Sequence, residues 1–404
     1  MADLAVLDVL LHGRAIGTLT RLPGDRNLFA FHRTYIEDAE RPTLSLSFKD
    51  SLGQLITDLP PTQTRLPPFF ANLLPEGPLR DYLARRAGVK PQREFFLLWV
   101  LGCDLPGALE VKSADGETLH PDVASDADGR RNQAFRFSLA GVQLKFSAIM
   151  QAHGGLTIPA EGIGGSWIVK LPSLRFDGVP ENEFAMMTLA RASGIDIPEI
   201  QLVPLDDIAG LPTDLGALRG SALAVKRFDR DGDGGTVHIE DFAQVFGVYP
   251  EEKYGRAGYR NVAEVIWAEI GEKGIAEFIR RLVFSVLIGN ADLHLKNWSL
   301  TYPDRRRAAL APAYDFVSTI AYLDDRDMAL TIGRSKKMWD LTTDELSYLA
   351  AKARLPEKLV LNAAKDTVNR FRQTWADRRS DLPLAARVLD VVDSHLRNVP
   401  LAKG

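Results

Sequence analysis

The apolar residues of this 404-residue chain change their period near Asn261. Before that point they fall in short β-like runs. Beyond it they recur at helical spacing, as in VAEVIWAEI and FIRRLVFSVLI. Such a switch demands a mixed α+β chain in which a sheet-rich part precedes a helical part. At about 150 residues per domain, the length allows two to three domains.

Residues 1–60 alternate strand-like runs (Leu4–Leu10, Leu28–Phe31, Leu44–Phe48) with turns such as Pro23-Gly24-Asp25. The N-terminal segment MADLAVLDVLLHGR reads as a strand turning at His12-Gly13, with no basic segment or cleavage site of a signal peptide. Phe69 to Ala87 is helical but broken by Pro75 and Pro78, and Pro91 enters a second helix over Gln92 to Leu101. The apolar run from Phe95 to Cys103 is too short for a membrane span, and Asp104 and Pro106 close it. A soluble, unsecreted chain is expected.

Residues 113–134 are polar and rich in Asp, Gly and Ser, which predicts a linker or mobile loop. Strands are then expected at Phe135–Ser138, Lys145–Ile149, Leu156–Ile158, Ser166–Leu171, Ile200–Pro204 and Ala222–Phe228, with a helix over Glu181–Ser193. Later helices are expected at Val262–Glu272, Ile275–Ile288, Leu341–Ala353, Pro356–Ala376 and Pro383–Arg397. The resulting division is 1–112, an N-terminal module; 113–134, the linker; 135–230, a sheet-rich lobe; and 231–404, a helical lobe.

Composition excludes several functions. Lys plus Arg number 49 against 53 Asp plus Glu, a net charge of −4, which argues against coating nucleic acid or anionic membrane by bulk charge. The lone Cys103 excludes a disulfide framework and a CxxC metal site, and suits a reducing compartment.

The chemistry concentrates in a non-helical island, Ala291 to Thr319. Asp292 and Asn297 stand five residues apart, the interval between catalytic Asp and metal-binding Asn in a protein-kinase loop. One supplies a carboxylate for the attacking hydroxyl, the other an amide oxygen for a metal on the phosphates. Trp298–Thr301 and Ala308–Ala311 read as a hairpin that returns Asp315 beside Asn297, where a second metal ligand belongs. His294 and Lys296 are candidates for phosphate contact; no His or Cys partner supports a metal role for His294. Upstream, Lys170 in SWIVKLPS is a cleft lysine that needs a partner, and Glu183 can supply one. Ser138, Gly141 and Lys145 in RFSLAGVQLKFSAIM flank a turn whose backbone N–H groups can cradle phosphate.

SLAGVQLKFS, WIVKLPS, ENEFAMMTLAR, ALAVKRFDR, HIEDFAQVFGV, LIGNADLHLKN and PAYDF together resemble HipA-type toxin kinases, in the same order. RPTLSLSF, FFANLLPEG and GCDLPGALEV extend the resemblance through the N-terminal module, so it spans about residues 4–390. It implies an α+β HipA-like kinase fold and a serine/threonine protein kinase using ATP and Mg²⁺. Asp292 would be the catalytic base, Asn297 and Asp315 the magnesium ligands, and Lys170 the lysine on the ATP phosphates. Ala140, Gly141, Val142, Gln143 and Lys145 would form the phosphate loop. Lys226, Arg227 and Phe228 would form the adenine hinge, with Lys226 where the family usually has an acidic residue. His294, Lys296 and Tyr314 would line the nucleotide site. Ser138 would be the autophosphorylated serine that silences the kinase.

Implied partners are a helix-turn-helix antitoxin of the HipB type, operator DNA reached through that complex, and an aminoacyl-tRNA synthetase as substrate. Lys352 and Arg354 are the nearest match to the family's DNA-contacting basic pair, one residue more closely spaced. The implied location is the bacterial cytoplasm, partly on the nucleoid. Other readings are a catalytically weak co-repressor module and a small-molecule kinase.

Overall fold

The computed structural model describes residues 5–114, 145–151, 155–158, 165–211, 218–231 and 234–403. Strand β1 (Ala5–Leu11) turns at His12 and Gly13, both with positive φ, into β2 (Arg14–Leu22). With β3 (Arg26–Phe31), β4 (Thr62–Gln63) and β5 (Leu109–Ser113) these make an N-terminal sheet ordered β4-β3-β2-β1-β5 among the described residues. Leu7, Val9 and Leu11 alternate onto its buried face. Helices α1 (Arg33–Ile36), α2 (Pro68–Ala71), α3 (Gly77–Ala87) and α4 (Glu94–Leu101) complete this region. Every residue of α4 is buried, as an apolar run of this kind requires. Its one charge, Glu94, accepts the Leu66 N–H at 2.8 Å and pairs with Arg80 at 3.1 Å.

A central sheet follows: β6 (Lys145–Met150), β7 (Leu156–Thr157), β8 (Trp167–Lys170), β9 (Ile200–Pro204), β10 (Ile208–Ala209) and β11 (Ser221–Lys226), ordered β10-β7-β6-β8-β11-β9. Helix α5 (Val179–Ala192) packs against β11 and β9. A third sheet joins β12 (His238–Asp241), β13 (Ser299–Tyr302) and β14 (Ala309–Leu310). The helical region holds α6 (Phe242–Val245), α7 (Tyr259–Glu269), α8 (Glu272–Ile288), α9 (Thr343–Lys352), α10 (Glu357–Arg378) and α11 (Ala386–Leu396). No helix among the described residues is long and apolar enough to cross a membrane.

Two cores meet at the central sheet. Ala222 and Ala224 of β11 join Phe146, Val169 and the apolar residues of the N-terminal sheet. Leu223 and Val225 of the same strand join the helical core around Phe278, Leu282 and Trp298. The period-2 alternation of one strand therefore divides the molecule. Residues before 112 share a core with the central sheet.

One local expectation is corrected. Leu44–Phe48 is not a strand: Leu46–Phe48 is a 3₁₀ turn capped by the Ser45 side chain, and the Leu46 N–H goes to Glu240 at 3.0 Å. That N–H would otherwise serve a ladder. The broken helical stretch read over Phe69–Ala87 is two helices, α2 and α3, with Pro78 in the first turn of the second. The strand His238–Asp241, absent from the sequence reading, extends the hairpin of the island to three strands.

Candidate active site

Helix α8 ends where the candidate catalytic loop begins. Gly289 takes φ +69°, its N–H bonding the Val286 carbonyl while the Asn290 N–H reaches Ser285. This is a Schellman closure, and a β-carbon at Gly289 would collide with Ile320. Asn290 then accepts the Asp292 N–H at 3.0 Å and donates to the Asp315 carbonyl, which ties the two halves of the island together. The Asp292 carboxylate accepts the Tyr254 hydroxyl at 2.8 Å. Burial raises its pKa above the ordinary value, with the Tyr254 hydrogen bond opposing.

Asp315 is one of few non-glycine residues with positive φ, +58°. It pairs with Lys170, which also contacts Glu183 on α5 at 2.5 Å. Burial alone would depress Lys170, but Asp315 and Glu183 hold it above the ordinary lysine value. Burial opposes ionisation of Asp315, yet Lys170 and Lys145 bring it down to about 2. Lys145 stands directly across the ladder from Lys170, so both ammonium groups share one face of the sheet. Burial, with Lys170 and Lys296 adding to it, lowers Lys145 to about 8 against the pull of Asp315 and Glu183. Among the described residues no carboxylate lies within ion-pair reach of Lys145, which leaves it free for an anion.

These groups line a cleft of about 790 Å³ between the central sheet and the helical region, a size that suits a small-molecule ligand. The Asn297 amide nitrogen donates to the Asp292 carbonyl at 2.8 Å, leaving the amide oxygen as its available acceptor. No cluster of three or more His, Cys, Asp or Glu poised for a metal occurs among the described residues. Asp315 and Asn297 are instead a sparse oxygen set, the kind Mg²⁺ takes when water and phosphate complete its shell.

In the same cleft, Phe228 stacks on Tyr314 with centroids 5.9 Å apart. Tyr314 is fixed by hydrogen bonds to Ser299 (2.5 Å) and the Lys296 carbonyl (3.0 Å). The exposed Lys226 pairs with Glu199 at 3.1 Å. The Arg227 side chain is buried on Asp104 (2.9 Å) and Asp229 (2.8 Å), so it ties the chain after β11 to the N-terminal region.

His294 lines the cleft as a neutral ring, since burial and Lys253 push its pKa down to about 3. In this state the ring can approach an anion only by donating an N–H, and its Nδ1 has no partner among the described residues. The Lys296 ammonium meets Glu76 at 2.8 Å and the Asn72 carbonyl at 3.1 Å. Glu76, Asn290, Lys253 and Tyr254 escaped the sequence reading. The LPEG turn and the Lys-Tyr pair were the available signals, without a spacing that tied them to the island. Ser138, Ala140, Gly141, Val142 and Gln143 lie outside the described residues. Lys352 and Arg354 are exposed at the end of α9, away from this cleft, with Arg354 at φ +55°.

Residues 137–375 match the HipA-like C-terminal domain and residues 7–112 the HipA N-terminal domain. Y4dM of Sinorhizobium fredii, a protein with a kinase designation, is 59% identical over 404 residues, covering 99% of this chain and 98% of its own. The serine/threonine-protein kinase toxin HipA of Shewanella oneidensis is 26% identical over 353 residues, 78% of each chain. A solved complex of Shewanella oneidensis HipA, HipB and operator DNA contains a chain similar at TM-score 0.73 and 22% identity, covering 98% of this chain and 96% of that one. That likeness shows a shared fold. With both domain matches in order along one chain, and a relative alike over nearly its whole length, this protein belongs to the HipA family of kinases.

Proposed function

We propose that the chain is an ATP- and Mg²⁺-dependent serine/threonine protein kinase acting as the toxin of a bacterial toxin–antitoxin pair. The observation that carries this reading is the convergence of Lys170 from β8, Glu183 from α5, and Asp292, Asn297 and Asp315 from the island on one cleft. Lys145 and Lys170 would hold the phosphates of ATP, and Phe228 and Tyr314 would bound the adenine end. Asp315 and Asn297 would hold Mg²⁺, which supplies charge neutralisation on the phosphates. The acceptor serine hydroxyl would displace the Tyr254 hydroxyl from Asp292. Its proton passes to Asp292 as its oxygen bonds the γ-phosphorus, and the bond to ADP breaks.

In this reading Ser138 is phosphorylated by the protein itself. The added negative charge there repels the ATP phosphates and turns the enzyme off. The substrate is a protein serine, with an aminoacyl-tRNA synthetase as the family-implied case, and the site of action is the cytoplasm. The Shewanella oneidensis HipA was solved with HipB and operator DNA. A helix-turn-helix antitoxin and operator DNA are accordingly proposed here too, with Lys352 and Arg354 available at the surface. A net charge of −4 means that the antitoxin supplies most of the phosphate contacts.

Incubation with γ-labelled ATP and Mg²⁺, beside Asp292→Ala, tests the proposal, with phosphate located by mass spectrometry. Label at Ser138 in the wild type alone supports it. No label, with ATP still bound, moves the role to that of an antitoxin-bound module.

A further inference from the structure

The catalytic loop is held from outside the kinase lobes. Glu76 ends the LPE turn at the entrance to α3, in the N-terminal region. Its side chain is 15% exposed and reaches two lysines, Lys253 at 2.8 Å and Lys296 at 2.8 Å. Lys296 sits between Asp292 and Asn297, immediately before the latter. Lys253 precedes Tyr254, whose hydroxyl holds the Asp292 carboxylate, and its carbonyl accepts the Leu295 N–H of the loop. One carboxylate therefore meets two segments around Asp292, the loop at Lys296 and the segment that carries Tyr254.

We propose that Glu76, delivered by the N-terminal region, is a positioning residue of the catalytic loop, acting through Lys296 and Lys253. The inference rests on the kinase reading of the cleft. Anchorage alone does not account for the arrangement. The N-terminal region is already bound by a shared apolar core and by the buried cluster at Arg227. A buried ion pair adds little net stability over apolar packing, so a third buried charged cluster is poorly explained as glue. Asp241 and His294 face the same lysines from β12 and the loop; His294 is neutral and Asp241 caps α6. The firm ionisation of Glu76 fits the bridging role: burial opposes it, but Lys296 and Lys253 bring its pKa down to about 2.

The test compares full-length wild type with Glu76→Gln, Glu76→Asp and the double variant Glu76→Gln/Lys253→Gln. Turnover with ATP and Mg²⁺ and hydrogen exchange by mass spectrometry would both be read. Glu76→Gln is expected to lower kcat about 100-fold, the scale of a small misplacement at a reacting centre, with KM for ATP nearly unchanged. Glu76→Asp should recover most of that loss, and removing Lys253 as well should recover part by relieving the unbalanced pair. Exchange should rise in residues 290–298 and stay unchanged in β1–β3. The inference is overturned if Glu76→Gln keeps its kcat within twofold, or if exchange rises throughout the N-terminal sheet as for lost anchorage. Wild type without ATP-dependent transfer would instead sink the kinase reading, and the exchange pattern alone would then decide the role of Glu76.

Discussion

Two clusters of four charges are built to opposite ends. At the hinge, Arg227 and Arg230 face Asp104 and Asp229, every pair at 2.8 or 2.9 Å. Backbone groups of Leu105 and Gly107 take up further bonding capacity. In the cleft, Lys145 and Lys170 face Glu183 and Asp315, yet both carboxylates go to Lys170. Equal composition thus gives different chemistry. The hinge cluster is closed and balanced, and it joins the N-terminal region to the central sheet. The cleft cluster is lopsided, leaving one depressed lysine whose missing counter-charge a phosphate can supply. Which groups are already paired separates a fastener from a site.

The contrast breaks first at Asp292, the proposed catalytic base. Asp292→Ala should lower phosphoryl transfer about 10²- to 10⁴-fold, the usual worth of a general base, while ATP affinity by calorimetry stays close to wild type. Wild-type transfer by this variant would remove Asp292 from the role. Next, Arg227→Met should destabilise the fold by about 3–5 kcal/mol, because it leaves two buried carboxylates to share the single charge of Arg230. Chemical denaturation would read this, and a loss below 1 kcal/mol would deny that the hinge cluster is structural.

The lopsided cluster makes a pH prediction. Lys145 is charged below about 8, so ATP affinity should be level there and fall as pH rises through that value. The decline approaches about tenfold per pH unit if binding requires the proton. Lys145→Gln should bind more weakly at neutral pH and lose this dependence. The smallest effect is expected at Tyr254→Phe. Its hydroxyl lowers the Asp292 pKa, so removing it should shift the acid limb of the rate profile to higher pH. An unmoved limb would mean that the hydrogen bond does not persist in the working enzyme.

How much of this was legible follows from sequence distance. Asp292, Asn297 and Asp315 share one short island, and the hairpin that unites them is written in local alternation. Lys170 and Glu183 are only 13 residues apart, on a strand and the helix that follows. Glu76 reaches Lys253 across 177 residues, and Asp104 reaches Arg227 across 123. No periodicity connects such positions. Only the closure of the N-terminal core over the central sheet brings them together. Leu44–Phe48 misled for a related reason: its backbone is satisfied by a distant glutamate, a partner that no local pattern announces.

The most direct test is a crystal structure with Mg²⁺ and a non-hydrolysable ATP analogue. Lys170 should keep Glu183 but release Asp315 to the metal, with Lys145 on the phosphates, the adenine beside Phe228 and the γ-phosphate facing Asp292. An intact Lys170–Asp315 pair, with the nucleotide bound elsewhere, would contradict the assignment of this cleft.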